Sequence, residues 1–149
     1  MHIFHTEANI LINRSLNETF EFLCNPPLDR ADLTPLEDTI TPLNETRGVG
    51  SARRMTIELA ARKLDCVFHC VKFEPPHQLV MRLEGDLEGT QTWQLSPEGN
   101  GTRAHLLFEV VAPPWTPAYL RDETAADRWS HRLAEETLAN IKAILETSG

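Results

Sequence analysis

The sequence predicts an α+β fold in which one long C-terminal helix lies on an antiparallel sheet. Residues 122–146 contain neither proline nor glycine, and their apolar residues recur at the helical spacing of three to four residues. The segments before this helix alternate apolar and polar residues with a period of two, as strands do. No alternation of strands with helices occurs, which argues against a parallel α/β sheet. We expect one domain spanning residues 1–149.

The first strand is expected at residues 4–12, where every second residue from Phe4 to Ile12 lies on one face. Ser15 and Glu18 then have the spacing of a capping box, which predicts that a helix begins here. Pro26 and Pro27 end this helix, because the residue before a proline is pushed out of the α region. A short irregular or helical connection follows at residues 27–36.

An antiparallel meander is expected over the middle of the chain. Its strands are predicted at residues 39–44, 55–59, 64–73, 79–83, 89–95 and 102–111. Pro42 favours an edge position for the first of them, because proline cannot donate a ladder hydrogen bond. The strand at 64–73 is apolar on both faces, with Cys66, Phe68 and Cys70 predicted on one and Val67, Val71 and Phe73 on the other. In the strand before it, Arg54, Thr56 and Glu58 are predicted to lie opposite Met55 and Ile57.

Composition and charge narrow the class of partner. The formal net charge is −8, the opposite of what a nucleic-acid-binding surface needs, so no nucleic-acid partner is expected. No apolar run is long enough for a membrane span, and the first residues lack the pattern of a signal peptide. We therefore expect a cytoplasmic protein that is a monomer or a weak homodimer.

The sequence contains no pattern typical of a metal, cofactor or nucleophile site, so no metal, cofactor or catalytic residue is assigned. Cys24, Cys66 and Cys70 are expected to be buried thiols, since an odd, small number of cysteines argues against a disulfide framework. Gly48 and Gly50 fit a hairpin turn better than a dinucleotide fingerprint, because a strand follows them. His69, in the middle of a strand, fits either a hydrogen-bonded sheet histidine or a polar group inside a cavity.

Large apolar side chains are expected between the sheet and the helix. Such residues either fill a core or line a cavity for an apolar ligand, and the sequence fits both interpretations. The set consists of Phe20, Met55, Met81, Trp93, Phe108, Trp129 and Leu133.

Several motifs occur in an order that resembles a known superfamily. The motif INRSLNETFEFL begins at Ile12, RGVGS at Arg47, VKFEPPHQL at Val71, GTQTWQL at Gly89 and LANIKAILE at Leu138. Together they resemble the START-like, or Bet v 1-like, superfamily, which includes the polyketide cyclase/dehydrase and lipid-transport (SRPBCC) family. The resemblance implies a helix-grip fold: a seven-stranded antiparallel sheet wrapped around the long C-terminal helix, with two short helices after strand 1 and a cavity between sheet and helix.

The main hypothesis is binding, with transport or sequestration as its purpose, of a small hydrophobic or amphipathic ligand in that cavity. The ligand-binding residues are expected to be the apolar set above together with His69 and Gln91, and His69, Gln91 and Trp93 would orient the ligand. The first half of the helix, around Trp129, would form one wall of the pocket. Trp115 and Tyr119 are expected to form a lid at the entrance.

Two other functions fit the sequence. One is a cofactor-free cyclase, dehydratase or hydrolase, which would need an inward acid/base pair such as His69 with Glu58 or Arg82. The other is a protein-interaction module, similar to co-chaperones of this superfamily, with a closed pocket and an exposed apolar patch.

Overall fold

The structure, a computed structural model, describes residues 3–24, 37–59, 62–111, 114–115 and 123–147. The chain forms one antiparallel sheet with strand order β1-β7-β6-β5-β4-β3-β2, and its C-terminal helix packs against the sheet. The strands are β1 (Ile3–Ile12), β2 (Glu37–Pro42), β3 (Ala52–Leu59), β4 (Arg62–Glu74), β5 (Gln78–Gly85), β6 (Glu88–Glu98) and β7 (Gly101–Val111). The helices are α1 (Leu16–Cys24) and α2 (Glu123–Thr147). The predicted α+β class is confirmed, and the second short helix, predicted within 27–36, falls outside the described residues.

Period-two alternation defines an inner face of the sheet. Along β7, Ala104, Leu106 and Val110 are buried, whereas the residues between them are partly exposed. The equivalent positions of the other strands join the same core cluster as buried residues of α2. The inner face is therefore the face that α2 covers, and the predicted alternation of β1, β6 and β7 is confirmed. β2 lies at the edge of the sheet, as Pro42 predicts.

One β-bulge changes the faces of β4. The register of β4 with β5 shifts between Cys70 and Lys72, so Val71 is an extra residue in the ladder. Such an insertion reverses the alternation beyond it. Val71 is 46 % exposed, and Phe73 pairs with buried Leu79 on the inner face. The prediction that Phe73 shares a face with Val67, opposite Phe68 and Cys70, is therefore wrong.

The start of α1 is capped as the sequence predicts. The backbone N–H of Glu18 donates to Ser15 Oγ at 3.1 Å, and the Ser15 hydroxyl donates to Glu18 Oε1 at 3.0 Å. The side chain thus satisfies an N–H that has no partner within the helix. From this start, Phe20 and Leu23 point into the core.

The C-terminal half of α2 packs over β1 and β7 as core. Ala134, Leu138, Ile141 and Leu145 are buried in the cluster that includes the inner face of the sheet. This placement confirms the prediction for the second half of the helix. Trp129 and Leu133 lie in α2, but their side chains are outside the described residues, so the wall predicted around them stays a prediction.

Polar contacts fasten the end of α2 to the end of β1. Lys142 Nζ donates to the Leu11 carbonyl oxygen and to Glu146 Oε1, both at 2.7 Å. Glu146 Oε1 also accepts from the Asn13 backbone N–H at 2.8 Å. These two donors, Lys142 first, lower the pKa of the Glu146 carboxyl group because they stabilise its ionised form. The helix is thus held in one register against the sheet.

We expect Leu138→Ala to lower the free energy of unfolding by about 2–5 kcal/mol, because it leaves a cavity at a side chain that is only 1 % exposed. Urea unfolding followed by circular dichroism measures the change. The control is Leu43→Ala, the same substitution at a side chain that is 52 % exposed, which we expect to cost less than about 1 kcal/mol. Similar losses for both variants would contradict this packing of α2.

Candidate functional site

A cavity of about 320 Å³ lies between the end of α1, the loop that joins β2 to β3 (residues 43–51, the β2–β3 loop) and the inner face of β3, β4 and β5. It is open to solvent at the loop. The lining residues are Leu23, Cys24, Pro42, Asn44, Glu45, Thr46, Arg47, Gly48, Ser51, Ala52, Arg53, Phe73, Leu79 and Met81.

The deep part of this cavity is apolar. Leu79 and Met81 come from the inner face of β5, each 3 % exposed, and Leu23 comes from α1. Phe73 completes this part because the bulge in β4 turns it inward. These side chains give an apolar ligand a surface on which its own apolar area can be buried.

Phe73 is fixed on two sides. Its ring centroid lies 5.5 Å from that of Phe20 in a tilted arrangement. Gly48 packs on it so closely that a Cβ atom at this position would lie 2.9 Å from Phe73 Cδ1. Gly48 also has a φ of +83°, a conformation that L side chains rarely adopt. The close approach of loop and ring therefore requires glycine.

The β2–β3 loop has an ordered internal structure. Asn44 Oδ1 accepts hydrogen bonds from the backbone N–H groups of Thr46 and Ala52, at 3.2 and 3.4 Å, and its amide donates to the Gly50 carbonyl at 3.1 Å. The Gly50 N–H donates to the Cys70 carbonyl at 3.1 Å, which ties the loop to β4. The cavity mouth is thus built on a defined turn.

An ion pair links this loop to α1 across the mouth. Both terminal nitrogens of Arg47 donate to the Glu21 carboxylate, one of them at 3.0 Å to Oε2. The guanidinium also lies 5.3 Å from the Phe73 ring centroid, within the range of a cation–π contact. Because both side chains are about half exposed, solvent screens the pair and we expect it to contribute little to stability.

Arg53 introduces a positive charge on the inner face. It pairs directly with Phe68 of β4, which is 1 % exposed, and directly paired residues of antiparallel strands share a face. Its neighbour Arg54 points to the outer face, where it pairs with Asp65 at 3.3 Å. Two consecutive arginines thus have opposite environments, and only Arg53 lines the cavity among the described arginines of β3.

The cysteines of this region are protonated at neutral pH. Burial raises the pKa of the Cys24 thiol to about 11, although the positive charges of Arg47 and Arg53 oppose the shift. Burial also raises the pKa of Cys66 and Cys70. A thiol in this state is a poor nucleophile. The three cysteines are free and at least partly buried, which confirms the expectation of unpaired thiols.

The predicted site residues fall into separate groups. Met81 lines the cavity, whereas Phe20, Met55, Gln91 and Trp93 are buried on the inner side of the sheet and contribute to the core. Phe108 is partly buried against that core. For this group the structure favours a filled interior, and a ligand contact stays a prediction. Trp115 packs half-buried against the core, while Tyr119, its predicted partner in a lid, lies outside the described residues.

His69 lies on the other face of β4. It pairs in the sheet with Arg82, which is exposed, and its Nε2 lies 2.6 Å from Glu84 Oε1. Arg82 also contacts Glu84, at 3.5 Å. Alternation explains this placement, because Phe68 and Cys70 on either side of His69 point inward. The proposed role of His69 inside the cavity is therefore not supported by its position, nor is its pairing there with Arg82. The side chain of Glu58 is outside the described residues.

Of the described residues that line the cavity, only Met81 was among the predicted ligand-binding residues. Arg53 and Phe73 were missed for two different reasons. Arg53 is two residues before Met55, so counting the period of two backwards would have placed it inward. Phe73 could not have been found in this way, because the bulge at Val71 leaves no reliable signal in a single sequence.

The described residues contain no group of three or more His, Cys, Asp or Glu side chains placed to hold a metal ion. Within the same part of the chain, no helix combines the length and apolar character of a membrane span.

Comparison with solved structures identifies the fold. TTHA0849 from Thermus thermophilus superposes with a TM-score of 0.80 at 15 % identity, covering 97 % of this chain and 99 % of that one. Zhui aromatase/cyclase from Streptomyces sp. R1128 gives 0.77 at 17 % identity, with 97 % and 94 % covered. Ara h 8.0201, a Bet v 1-like allergen, gives 0.68 at 10 % identity, with 99 % and 100 % covered.

The chain has the Bet v 1-like fold. The resemblance seen in the sequence motifs is thereby confirmed at the level of the fold. No family model matches the chain, and no curated protein matches it in sequence. The helix-grip architecture places the cavity described above at the end of the sheet that α1 and the β2–β3 loop cover.

We expect Gly48→Ala to destabilise the protein by about 1–3 kcal/mol, since it combines an unfavourable φ with a clash against Phe73. Gly99→Ala is the matched control, because Gly99 has a φ of +59° and an added Cβ would meet nothing within 4 Å. Chemical denaturation measures both. If the two variants lose the same stability, the close packing of Gly48 on Phe73 is not important.

The pKa of Cys24 predicts the pH dependence of its alkylation. With a pKa of about 11, the reactive thiolate is a minor species at pH 8, and its population rises about tenfold per pH unit up to pH 10. Iodoacetamide labelling of Cys24, followed by peptide mass spectrometry, should show this continuous rise. A rate that levels off between pH 9 and 10 would indicate an ordinary exposed thiol and contradict the burial.

Proposed function

We propose that the protein binds a small, largely apolar molecule with one polar end in the cavity between α1, the β2–β3 loop and the inner face of β3–β5. The observation that supports this best is the composition of the lining, an apolar deep part formed by Leu79, Met81 and Phe73 and a polar mouth. A volume of about 320 Å³ is at the lower end of the range for ligand pockets in proteins. The whole chain, residues 1–149, would act as one binding domain.

The affinity would come from burial of apolar surface. An aromatic body that loses about 200 Å² of apolar area gains about 5 kcal/mol at about 25 cal/mol per Å², before the cost of association. That gain alone corresponds to a dissociation constant of about 200 μM, and the cost of association weakens binding further. We therefore expect dissociation constants of about 100 μM or below only for ligands that fill the cavity and bury a larger apolar area. Transport or sequestration is the role that such reversible binding supports.

A cofactor-free enzyme of the cyclase type is the second candidate. Its support is the shared fold with Zhui aromatase/cyclase. The side chains around the cavity support it less, because His69 and Arg82 lie on the outer face and the Cys24 thiol is protonated. Binding is therefore the function that the geometry favours.

The hypothesis of a protein-interaction module has less structural support than ligand binding. Among the described residues, the exposed large apolar side chains are Ile3, Leu43, Val49 and Val71. Leu43 and Val49 belong to the β2–β3 loop, so a partner docking there would cover the cavity mouth. Such docking and ligand binding would then compete.

The test is titration with phenylnaphthylamine, a neutral apolar dye that fluoresces when it enters an apolar site. We expect saturable binding with a dissociation constant at or below about 100 μM. Met81→Trp, which fills the deep part of the cavity, should weaken this binding by about tenfold or more. Arg82→Trp is the control, because Arg82 is exposed on the outer face of the same strand. The affinity of this variant for the dye should stay within about twofold of the wild-type affinity.

Unfolding curves of both variants establish that they are folded before binding is compared. If Met81→Trp does not fold, Ser51→Trp at the mouth of the cavity replaces it. Absence of saturable binding by the wild type, or equal binding by the filled and control variants, would refute the proposed site.

A further inference from the structure

We propose that the ligand is an amphipathic organic anion, and that Arg53 binds its acid group while its apolar body lies on Leu79 and Met81. This inference rests on the proposed function and adds the chemical class of the ligand. It is carried by the placement of one positive charge beside an apolar surface in the same cavity.

The sheet register fixes the direction in which Arg53 points. Arg53 lies between Pro42 of β2 and Phe68 of β4 in the ladder, and two residues before the inward-facing Met55. Its Nε atom is shielded from solvent, and the side chain lines the cavity. The guanidinium group therefore acts in an environment of lower dielectric than the protein surface, where its attraction for an anion is stronger.

The charge of Arg53 reaches two walls of the cavity. Burial raises the pKa of Cys24 on α1 and of Cys70 on β4, and the charge of Arg53 opposes both shifts; at Cys24 the charge of Arg47 opposes the shift more strongly. Cys24 and Cys70 belong to elements on different sides of the cavity, so the positive charge of Arg53 acts across the space between them. This charge would attract the acid group of a ligand as it enters the cavity from the mouth.

The other described charges of the mouth are less suited to this role. Arg47 is about half exposed, so solvent screens its charge. Glu45 lines the cavity but is exposed, so its charge is screened in the same way. Arg53 differs from both because it lies on the inner face of the sheet and its Nε atom is shielded from solvent. A planar guanidinium group can bind a carboxylate through two parallel hydrogen bonds, which also orients the ligand.

The test compares two dyes with the same aromatic body, anilinonaphthalene sulfonate, which is an anion, and phenylnaphthylamine, which lacks the sulfonate. We expect the wild type to bind the anion at least about tenfold more tightly. Arg53→Gln should abolish this preference by weakening binding of the anion, while binding of the neutral dye changes by less than about threefold. Arg54→Gln, the adjacent arginine on the outer face, should keep the wild-type preference.

Whether the site also binds a carboxylate group is tested separately, by displacement of the bound dye. Octanoate should displace the bound sulfonate dye at a concentration about tenfold lower than octanol does, and this difference should disappear in Arg53→Gln. If octanoate and the alcohol are equally effective on the wild type, a carboxylate ligand is excluded. Arg53→Met, of similar length but without charge, replaces Arg53→Gln if that variant does not fold.

The outcomes separate the two proposals. If the wild type binds neither dye, the proposed function itself fails. If it binds both dyes equally well, or if Arg53→Gln and Arg54→Gln retain the same preference for the anion, ligand binding stands but the role of Arg53 is overturned.

Discussion

The inner face of the sheet is wider than a single helix can cover, and the rest of the structure follows from this constraint. α2 packs over β1 and β7, where Leu138, Ile141 and Leu145 fill the core. Near the inner face of β3, β4 and β5, residues of α1 and the β2–β3 loop line the cavity together with these strands. A short helix and a loop cover a sheet less completely than a long helix does, and the cavity lies where this covering is incomplete.

The cavity depends on contacts between segments that are far apart in the chain. Gly48 allows the loop to approach Phe73, and Phe73 faces inward only because β4 contains a bulge. Arg47 connects the same loop to Glu21 of α1. Through these contacts the loop and the end of α1 act as one wall. A change in the β2–β3 loop or at Glu21 would therefore alter the mouth of the cavity.

Much of the fold could be predicted from the sequence because it depends on local patterns. Neighbouring residues are enough to predict the period of two in β1, β6 and β7, the cap at Ser15 and the apolar face of the helix that includes Leu138. The site was harder to predict because its residues meet through the register of the sheet. His69 illustrates this, since the sequence fitted both a hydrogen-bonded sheet histidine and a polar group inside a cavity. The structure places it beside Glu84 on the outer face, in agreement with the first interpretation. The bulge at Val71 reverses the alternation in the last part of β4, and no pattern in a single sequence predicts such a bulge.

Nuclear Overhauser contacts between a bound aromatic dye and the methyl groups of the protein locate the ligand within the structure. If the ligand occupies the cavity formed by α1, the β2–β3 loop and β3–β5, the dye will show contacts to the methyl groups of Leu23, Leu79 and Met81, and none to that of Ala143, which is exposed on α2. A bound dye that shows contacts to Val71 or other outer-face methyl groups, and none to Met81, would contradict this location of the ligand.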